Sequence, residues 1–141
     1  MQLLVNIDVD DLDAAVSFYT TAFDLRVTRR FGSNGVELQG ASAPIYLLVK
    51  PTGTPAAPGT SATRNYVRHW TPVHLDIVVD DVDAAVQQAL IAGATLEKPA
   101  STAKWGRIAL MADPFGHGFC LVQFLGLGYD EIATSPSGAS S

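Results

Sequence analysis

Apolar and polar residues alternate in two short stretches of the chain, and each stretch runs directly into a longer segment with helical periodicity. Residues 5–9 read Val-Asn-Ile-Asp-Val, and residues 75–79 read Leu-Asp-Ile-Val-Val. A period of two predicts a β-strand with one face toward a core. We therefore predict that the odd-numbered residues pack beneath the helices and that the even-numbered residues point to the opposite face.

The two stretches belong to an internal repeat. Residues 5–16 align with residues 75–86, 70 positions later, and eight of the twelve positions are identical. Because a solenoid needs three or more copies, two copies of a strand-helix unit indicate a pair of related modules. Asp10 and Asp80 lie at the predicted N-caps. The aspartates that follow them fall in the first helical turn, where the positive end of the helix dipole stabilises negative charge. We interpret these acidic runs as helix caps rather than metal ligands.

The remaining periodicity predicts the element order βαβββ in both modules and hence an α+β fold. On the first helix Leu12, Val16, Tyr19 and Phe23 form the predicted buried stripe. Asn34-Gly35 predicts a tight hairpin turn, because both residues tolerate a positive φ. Module one is predicted to contain a strand over 3–9, a helix over 11–22 and strands over 25–31, 36–39 and 44–50. Module two is predicted to contain a strand from 73, a helix over 81–92 and strands over 94–97, 105–111 and 118–125.

Shifts in composition divide the chain into segments. Residues 1–125 are predicted to form one domain, with module one at 3–50 and module two at 72–125. Between them, residues 51–71 are rich in Pro, Gly and small polar residues at first and in aromatic and basic residues later, which predicts an irregular linker. Residues 126–141 lose periodicity and end in Ser-Pro-Ser-Gly-Ala-Ser-Ser, which predicts a flexible C-terminal tail.

Charge and composition exclude several classes of function. The net charge is −5 and no cluster of Lys or Arg is present, so we expect no nucleic-acid partner. No apolar run approaches the roughly 20 residues of a membrane span, and the N-terminus lacks the features of a signal peptide. The single cysteine, Cys120, excludes an intramolecular disulfide and suits a reducing compartment. We therefore expect no membrane association and a cytoplasmic location.

Polar residues of even parity on the two first strands are the main candidates for a binding site. A buried polar group without a partner costs about 1–3 kcal/mol, so these side chains must bond to each other, to water or to a ligand. An internal hydrogen-bond network without a ligand is the alternative, as is core packing for the aromatic residues. The candidate ligand-binding residues are His74, Asp76, Asn6, Asp8, Tyr46, Cys120, Tyr66, His69, Trp70 and Trp105.

Two motifs in these modules resemble the vicinal oxygen chelate superfamily. They are the run VxDLDxxVxFYxxxFxL over residues 9–25 and the turn-strand DPFGHGFCL over residues 113–121. This superfamily includes glyoxalase I, extradiol dioxygenases, fosfomycin-resistance enzymes and bleomycin-resistance proteins. The resemblance covers residues 3–125 and implies a glyoxalase/bleomycin-resistance-like fold. Each module would then form a half-barrel whose concave face holds the ligand.

The resemblance also implies four positions for metal ligands. They fall on Leu4 and His74 in the first strands and on Tyr46 and Cys120 in the last strands. Leucine cannot bind a metal, and only His74 is of the residue type usual in the family. A thiolate binds zinc and a phenolate occasionally binds iron, but the set lacks the carboxylate that hard divalent ions prefer. We therefore expect no metal and no other cofactor, and any divergent metal site would centre on His74.

We expect a homodimer that binds a small organic molecule in its half-barrel cavity without a catalytic metal. The acidic balance suits a cationic ligand. One alternative is a divalent-metal-dependent lyase or dioxygenase with a divergent metal site at His74. Another is a structural protein whose cavity is filled by its own side chains. The sequence identifies neither the ligand nor any catalytic residue.

Overall fold

The computed structural model describes residues 1–135, which form two four-stranded sheets with one long helix in each module. The elements of module one are β1 (Val5–Val9), α1 (Leu12–Phe23), β2 (Arg26–Arg30), β3 (Gly35–Gln39) and β4 (Ile45–Val49). Those of module two are β5 (Leu75–Val78), α2 (Val82–Ala92), β6 (Thr95–Ala103), β7 (Gly106–Ala112) and β8 (Gly118–Phe124). The predicted α+β fold of two βαβββ modules is confirmed.

The two sheets have the same topology. Their strand orders are β1-β4-β3-β2 and β5-β8-β7-β6, and in each the first and last strands of the module pair in parallel. This register places Asn6 opposite Tyr46 in the first sheet and Asp76 opposite Cys120 in the second. The strands that begin the two modules, β1 and β5, are both edge strands.

The core lies between the helices and the sheets, and it joins the two modules. Phe18 of α1 is 2% exposed, and Tyr19 beside it donates a hydrogen bond of 2.5 Å to the buried carboxylate of Asp113 in module two. The side-chain amide of Gln88 in α2 donates to the carbonyl oxygen of Thr21 at 2.8 Å. Because these contacts cross between modules, the two helices hold the sheets in a fixed relation.

The most buried face of α1 is shifted by one position from the predicted stripe. Its buried residues are Ala15, Phe18, Tyr19 and Ala22. Leu12, Val16 and Phe23 lie beside this face and are partly buried. The apolar face of α1 is wide, and the residues of the predicted stripe lie along one border of this face rather than at its centre.

The helix caps also differ from the prediction by one residue. Asp11, not Asp10, caps α1 and accepts a hydrogen bond from the backbone N–H of Ala14 at 3.1 Å. Asp81, not Asp80, caps α2 in the same way. A capping side chain reaches the N–H groups two or three residues ahead, so the cap must immediately precede the first helical residue.

The first hairpin uses its glycines differently from the prediction. The positive φ in the turn belongs to Gly32, at 58°, whereas Gly35 lies within β3. A Cβ on Gly35 would approach the carbonyl oxygen of Leu47 to 2.7 Å, so this glycine is required by close strand contact rather than by turn geometry.

Strand β6 continues past the predicted stop at residue 97. Pro99 lies within it, but β6 is an edge strand and its pairing with β7 is irregular between Lys98 and Ser101. A proline without an N–H group is tolerated at such a position. The prediction that the strand ends before Pro99 is therefore wrong.

The residues that directly follow β8 pack onto the second sheet. Residues Gly128–Glu131 form a short 3-10 helix, and the Tyr129 ring lies 5.1 Å from that of Trp105 and 4.8 Å from that of Phe124, between ring centroids. The remainder of the predicted tail, residues 136–141, lies outside the described residues. Within residues 1–135 no helix has the length and apolar character needed to cross a membrane.

Candidate functional site

The burial of the first strands follows the predicted alternation. Val5, Ile7 and Ile77 pack against the core, and Val9 is fully buried. The side chains of His74 and Asp76 lie on the other face, with exposed fractions of 54% and 38%. The strand period therefore presents these two polar groups on the open face of the second sheet.

His74, Asp76 and Cys120 form a cluster on that face. The imidazole Nε2 of His74 lies 3.3 Å from Oδ1 of Asp76, and the donor atoms of His74, Asp76 and Cys120 all lie within 4.8 Å of one another. Burial, followed by the nearby Asp76 charge, raises the pKa of Cys120 to about 11. The thiol therefore stays protonated at neutral pH, which makes it a poor nucleophile.

A cavity of about 190 Å³ lies over this cluster. Arg68 forms part of its wall and donates two hydrogen bonds to Glu97, at 2.8 Å from Nε and 3.0 Å from Nη2. This pairing raises the pKa of Arg68 and lowers that of Glu97, so both groups are charged at neutral pH. Trp70, which is 81% exposed, lies beside them. We call this space the second-sheet cavity.

A larger cavity of about 420 Å³ lies between β1 and β5. Its polar lining includes Asn6, Asp8, His74 and His117. Its apolar lining consists of Val5, Ile7, Phe23, Val73, Leu75, Ile77 and Phe119. We call this space the seam cavity, because it separates the edge strands of the two sheets.

The two cavities adjoin. Thr71, His74, Gly118 and Phe119 line both of them. We call the two cavities together the groove; its lining is mostly apolar between the sheets and more polar over the second sheet. His74 lies where the two parts meet.

Residues 64–70 of the linker, called the strap below, connect this groove to both modules. Arg64 forms an ion pair of 2.9 Å with Asp8 of β1, and Tyr66 donates a hydrogen bond of 2.6 Å to the carbonyl oxygen of Lys50. The Tyr66 ring also contacts His117, whose Nε2 lies 2.8 Å from the Asp8 carbonyl oxygen. The basic and aromatic side chains of the strap thus make specific contacts with Asp8, Lys50 and His117.

Two glycines make room for the strap on the turn before β8. A Cβ on Gly116 would lie 2.6 Å from the Tyr66 carbonyl oxygen, and one on Gly118 would lie 2.4 Å from Nη2 of Arg68. Gly116 also has a φ of 84°, which disfavours any other residue. The turn is held in place by Asp113, whose Oδ1 accepts from the backbone N–H groups of Phe115 and His117.

The first sheet carries a different polar network on its open face. Glu37 is only 3% exposed and accepts hydrogen bonds from the hydroxyl groups of Tyr46 at 2.7 Å and Thr28 at 2.8 Å. The hydrogen bond from Tyr46 is the main cause that lowers the pKa of Glu37, and the same bond raises the pKa of Tyr46. Arg29 lies 3.3 Å from the carboxylate. Sequence reasoning missed Glu37, although the alternation Val36-Glu37-Leu38 marked it.

The predicted site residues do not surround a single cavity. Asn6, Asp8 and His74 line the seam cavity, whereas Trp70 and Cys120 join His74 at the second-sheet cavity. Tyr46 lines neither of these cavities, because it lies in the first sheet with its hydroxyl bonded to Glu37.

The other candidate residues have separate surroundings. Asp76 belongs to the cluster but lines neither cavity. Tyr66 packs in the strap. His69 is exposed, with Nδ1 2.8 Å from the Val67 carbonyl oxygen. Trp105 contacts Phe124 beyond the groove. Whether any of these residues binds a ligand stays a prediction.

The donor groups fit the family's four-ligand metal site only in part. Leu4 offers no donor, and the Tyr46 hydroxyl is committed to Glu37. Among residues 1–135, one group of three His, Cys, Asp or Glu side chains brings its donor atoms within 4.8 Å of one another, namely His74, Asp76 and Cys120. Imidazole, carboxylate and thiolate donors would suit a zinc ion better than a hard ion that prefers oxygen ligands.

Comparison with known proteins identifies chains that are similar to this one in sequence or in structure. The chain is 35% identical over 133 residues to the uncharacterized protein Mb0911c of Mycobacterium bovis, covering 92% of this chain and 88% of that protein. A glyoxalase-related enzyme from Fulvimarina pelagi has a similar structure, with a TM-score of 0.69, 17% identity and coverage of 87% of each chain.

A glyoxalase/bleomycin resistance protein/dioxygenase family enzyme from Burkholderia phytofirmans PsJN also has this fold, with a TM-score of 0.66 and 22% identity over 86% of this chain and 97% of that one. Residues 4–122 match the family described as Glyoxalase-like domain. The two βαβββ modules, their motifs and this match agree, and the chain belongs to the glyoxalase-like domain family.

Proposed function

We propose that the protein binds a small organic molecule in the groove formed by the seam cavity and the second-sheet cavity, without a catalytic metal. The observation that carries this proposal is the junction of the two cavities at His74. The seam cavity, at about 420 Å³, is within the range of small-molecule sites, which is roughly 300–1,000 Å³. Such sites combine mostly apolar walls with a few polar groups, as this groove does.

The lining residues suggest a division of roles. The apolar side chains between β1 and β5, such as Ile7 and Ile77, would contact the hydrophobic part of the ligand. His74 would contact its polar part with an imidazole that both donates and accepts hydrogen bonds. Trp70 would cover the ligand with an aromatic face.

A small-molecule screen tests the proposal. Compounds that raise the Tm of the wild-type protein are retested against His74→Ala and Trp70→Ala, both of which alter the groove at exposed side chains. We expect these substitutions to weaken ligand binding more than they weaken folding, as measured by calorimetric titration and thermal unfolding. Gln87→Ala, an exposed position on α2, is the matched control. Hits that bind all four proteins equally would place the ligand elsewhere and refute the groove.

A metal-dependent lyase or dioxygenase is the second candidate, and the cluster of His74, Asp76 and Cys120 is the observation that favours it. A bound ion would act there as a Lewis acid on an oxygen atom of the substrate. Metal analysis of the purified protein distinguishes the candidates. If the protein binds its ligand without a metal, the purified protein should contain well under one equivalent of Zn, Ni, Fe or Mn. A stoichiometric ion that is lost in His74→Ala would establish the second.

We also propose that the functional unit is a homodimer. Apolar side chains are exposed at the start of β1 and before β5, including Leu3 at 69%, Leu4 at 49% and Val73 at 79%. Val73 itself lines the seam cavity. Exposed apolar side chains around a cavity mouth support a subunit interface there, because burying them removes apolar surface from water.

A further inference from the structure

His117 lies at the end of the turn before β8, and the structure holds this turn in place on the wall of the seam cavity. The backbone N–H of His117 donates to Oδ1 of Asp113 at 2.9 Å, and its carbonyl oxygen accepts from the Asp113 N–H at 2.8 Å. Asp113 is itself buried and accepts a hydrogen bond from the Tyr19 hydroxyl. The side chain of His117 lines the seam cavity. Its position is therefore set before any ligand enters.

One ring nitrogen of His117 is committed to the protein. Nε2 lies 2.8 Å from the carbonyl oxygen of Asp8, so the ring bridges the turn and the edge strand β1. A carbonyl oxygen only accepts hydrogen bonds, and Nε2 must therefore carry the proton of this bond. A neutral imidazole has a single N–H group, and its other nitrogen is an acceptor. The Asp8 carbonyl thus fixes the neutral ring with Nδ1 as the acceptor.

Nδ1 of His117 is the nitrogen that remains for a ligand. The hydrogen bonds that His117 makes with residues 1–135 do not involve this atom. Among the same residues no fully buried side-chain nitrogen or oxygen lacks a hydrogen bond, and His117 is half-buried, so Nδ1 is accessible. Because the ring lines the seam cavity, this free acceptor belongs to the cavity wall.

The surroundings of this acceptor are mostly apolar, with Ile7, Ile77 and Phe119 among the lining side chains. A purely apolar ligand that displaced water from Nδ1 would leave the acceptor unpaired, which opposes binding. A ligand N–H or O–H group at the same place would restore the hydrogen bond. The exposed amide of Asn6, which also lines this cavity, both donates and accepts and so favours neither kind of ligand.

We propose that His117 makes the seam cavity selective for an apolar molecule that carries a hydrogen-bond donor, an N–H or O–H group, which bonds to Nδ1. This inference rests on the function proposed above and adds a specificity-determining residue and the chemical class of the ligand. A molecule that offers only an acceptor, such as an ether, meets no free donor on this ring, because the Nε2–H is already bonded to Asp8.

Three probes of nearly identical shape test the selection. Indole, indene and benzofuran place an N–H donor, a methylene group and an oxygen acceptor at the same position of a fused ring pair. Each is titrated calorimetrically into the protein in mildly alkaline buffer, with a chelator present so that no metal ion contributes. We expect indole to bind about fivefold more tightly than indene, the effect of one neutral hydrogen bond. Benzofuran should bind no more tightly than indene.

His117→Gln separates the two ring nitrogens. Its amide N–H group can replace Nε2–H in the bond to Asp8, but glutamine has no counterpart of Nδ1. The substitution should reduce indole affinity to that of indene and leave indene binding unchanged. His69→Gln is the matched control, because His69 is exposed and lines neither cavity. It should keep the fivefold preference. Circular dichroism and Tm measurements check that both variants are folded.

Nitrogen NMR of the wild-type protein tests the ring without a substitution at His117, so a His117→Gln variant that fails to fold does not end the test. The chain has three histidines, and spectra of His69→Gln and His74→Ala identify the other two. We expect the neutral His117 ring to be protonated at Nε2 and not at Nδ1. Indole should shift the Nδ1 resonance, whereas indene should shift it much less.

The possible outcomes separate the inference from the function on which it rests. Equal affinities of indole and indene for the wild type, or an equal loss of indole affinity in His117→Gln and His69→Gln, would overturn the selection and leave the groove as a binding site. Tightest binding of benzofuran, or a neutral ring protonated at Nδ1, would also overturn it. If none of the three probes binds at millimolar concentration, both the selection and the groove as an apolar binding site are refuted.

Discussion

Glu37 is a carboxylate held in an almost fully buried position by neighbours that all donate to it. Its partners come from both adjacent strands, with Tyr46 on β4 and Thr28 on β2. Hydrogen bonds to the charged form stabilise the carboxylate and lower its pKa. Reasoning from sequence can place such a residue on a sheet face by its parity. It cannot show the partners, because they depend on the strand order β4-β3-β2.

The lowered pKa of Glu37 predicts a loss of stability in acid. A carboxyl group whose folded pKa lies below its unfolded value stabilises the fold fully above the unfolded pKa, here near its ordinary value of 4.5. This stabilisation is lost as the pH falls through the folded pKa. Unfolding by urea across this pH range should show that wild type loses its advantage over Glu37→Gln as the solution is acidified.

Asp10→Asn serves as the control for Glu37→Gln, because Asp10 is an exposed carboxylate beside β1. Its stability relative to wild type should change less with pH over the same range. A constant stability difference between wild type and Glu37→Gln from neutral to acidic pH would contradict the role assigned to the Glu37 hydrogen bonds.

The elements of the fold were predictable where their signals are local. The alternation in β1 and β5 and the aspartates before the helices identified the βαβββ order from sequence. The length of β6 was not predictable, because Pro99 is tolerated only through the irregular pairing of an edge strand. The strap likewise has no periodic pattern, and its position follows from contacts such as that of Arg68 with Gly118.

The contact between Arg68 and Gly118 predicts a coupled effect of two substitutions. Gly118→Ala should displace the guanidinium, since the added Cβ would lie 2.4 Å from its Nη2 atom. In an Arg68→Ala background no guanidinium lies beside the added methyl group, so Gly118→Ala should reduce the free energy of unfolding by a smaller amount. We expect a coupling of at least about 0.5 kcal/mol in the free energies of unfolding of the double-mutant cycle. Strictly additive free energies of unfolding would contradict a steric contact between Arg68 of the strap and this turn.

At the scale of the whole molecule, the internal repeat correctly indicated two similar sheets. It did not predict that the candidate residues would divide between two cavities. That division arises because β1 and β5 are edge strands of separate sheets, with the seam cavity between them. The relation of the two sheets depends on helix contacts such as that of Gln88 with Thr21, which no local pattern encodes.

The proposed homodimer predicts a mass in solution of twice the chain mass of 14.9 kDa. Light scattering at micromolar concentration should show this dimer for wild type. Leu3→Glu should shift the protein toward monomer, because it places a charge among the exposed apolar residues at the start of β1. Ile91→Glu changes an apolar residue of 82% exposure on α2 and should leave the dimer intact. A monomeric wild type would exclude the dimer.

The difference between the two polar networks has a consequence for protein engineering. In the first sheet Glu37 is enclosed by donors, so a substitution at Thr28 or Tyr46 that removes the hydroxyl group takes a hydrogen bond from a buried carboxylate and should lower stability. In the second sheet the side chains around the cavity, such as Leu110 and Trp70, border open space and tolerate new shapes. Libraries for new ligand preferences should therefore vary one copy of the repeated module and leave the other as an unchanged scaffold.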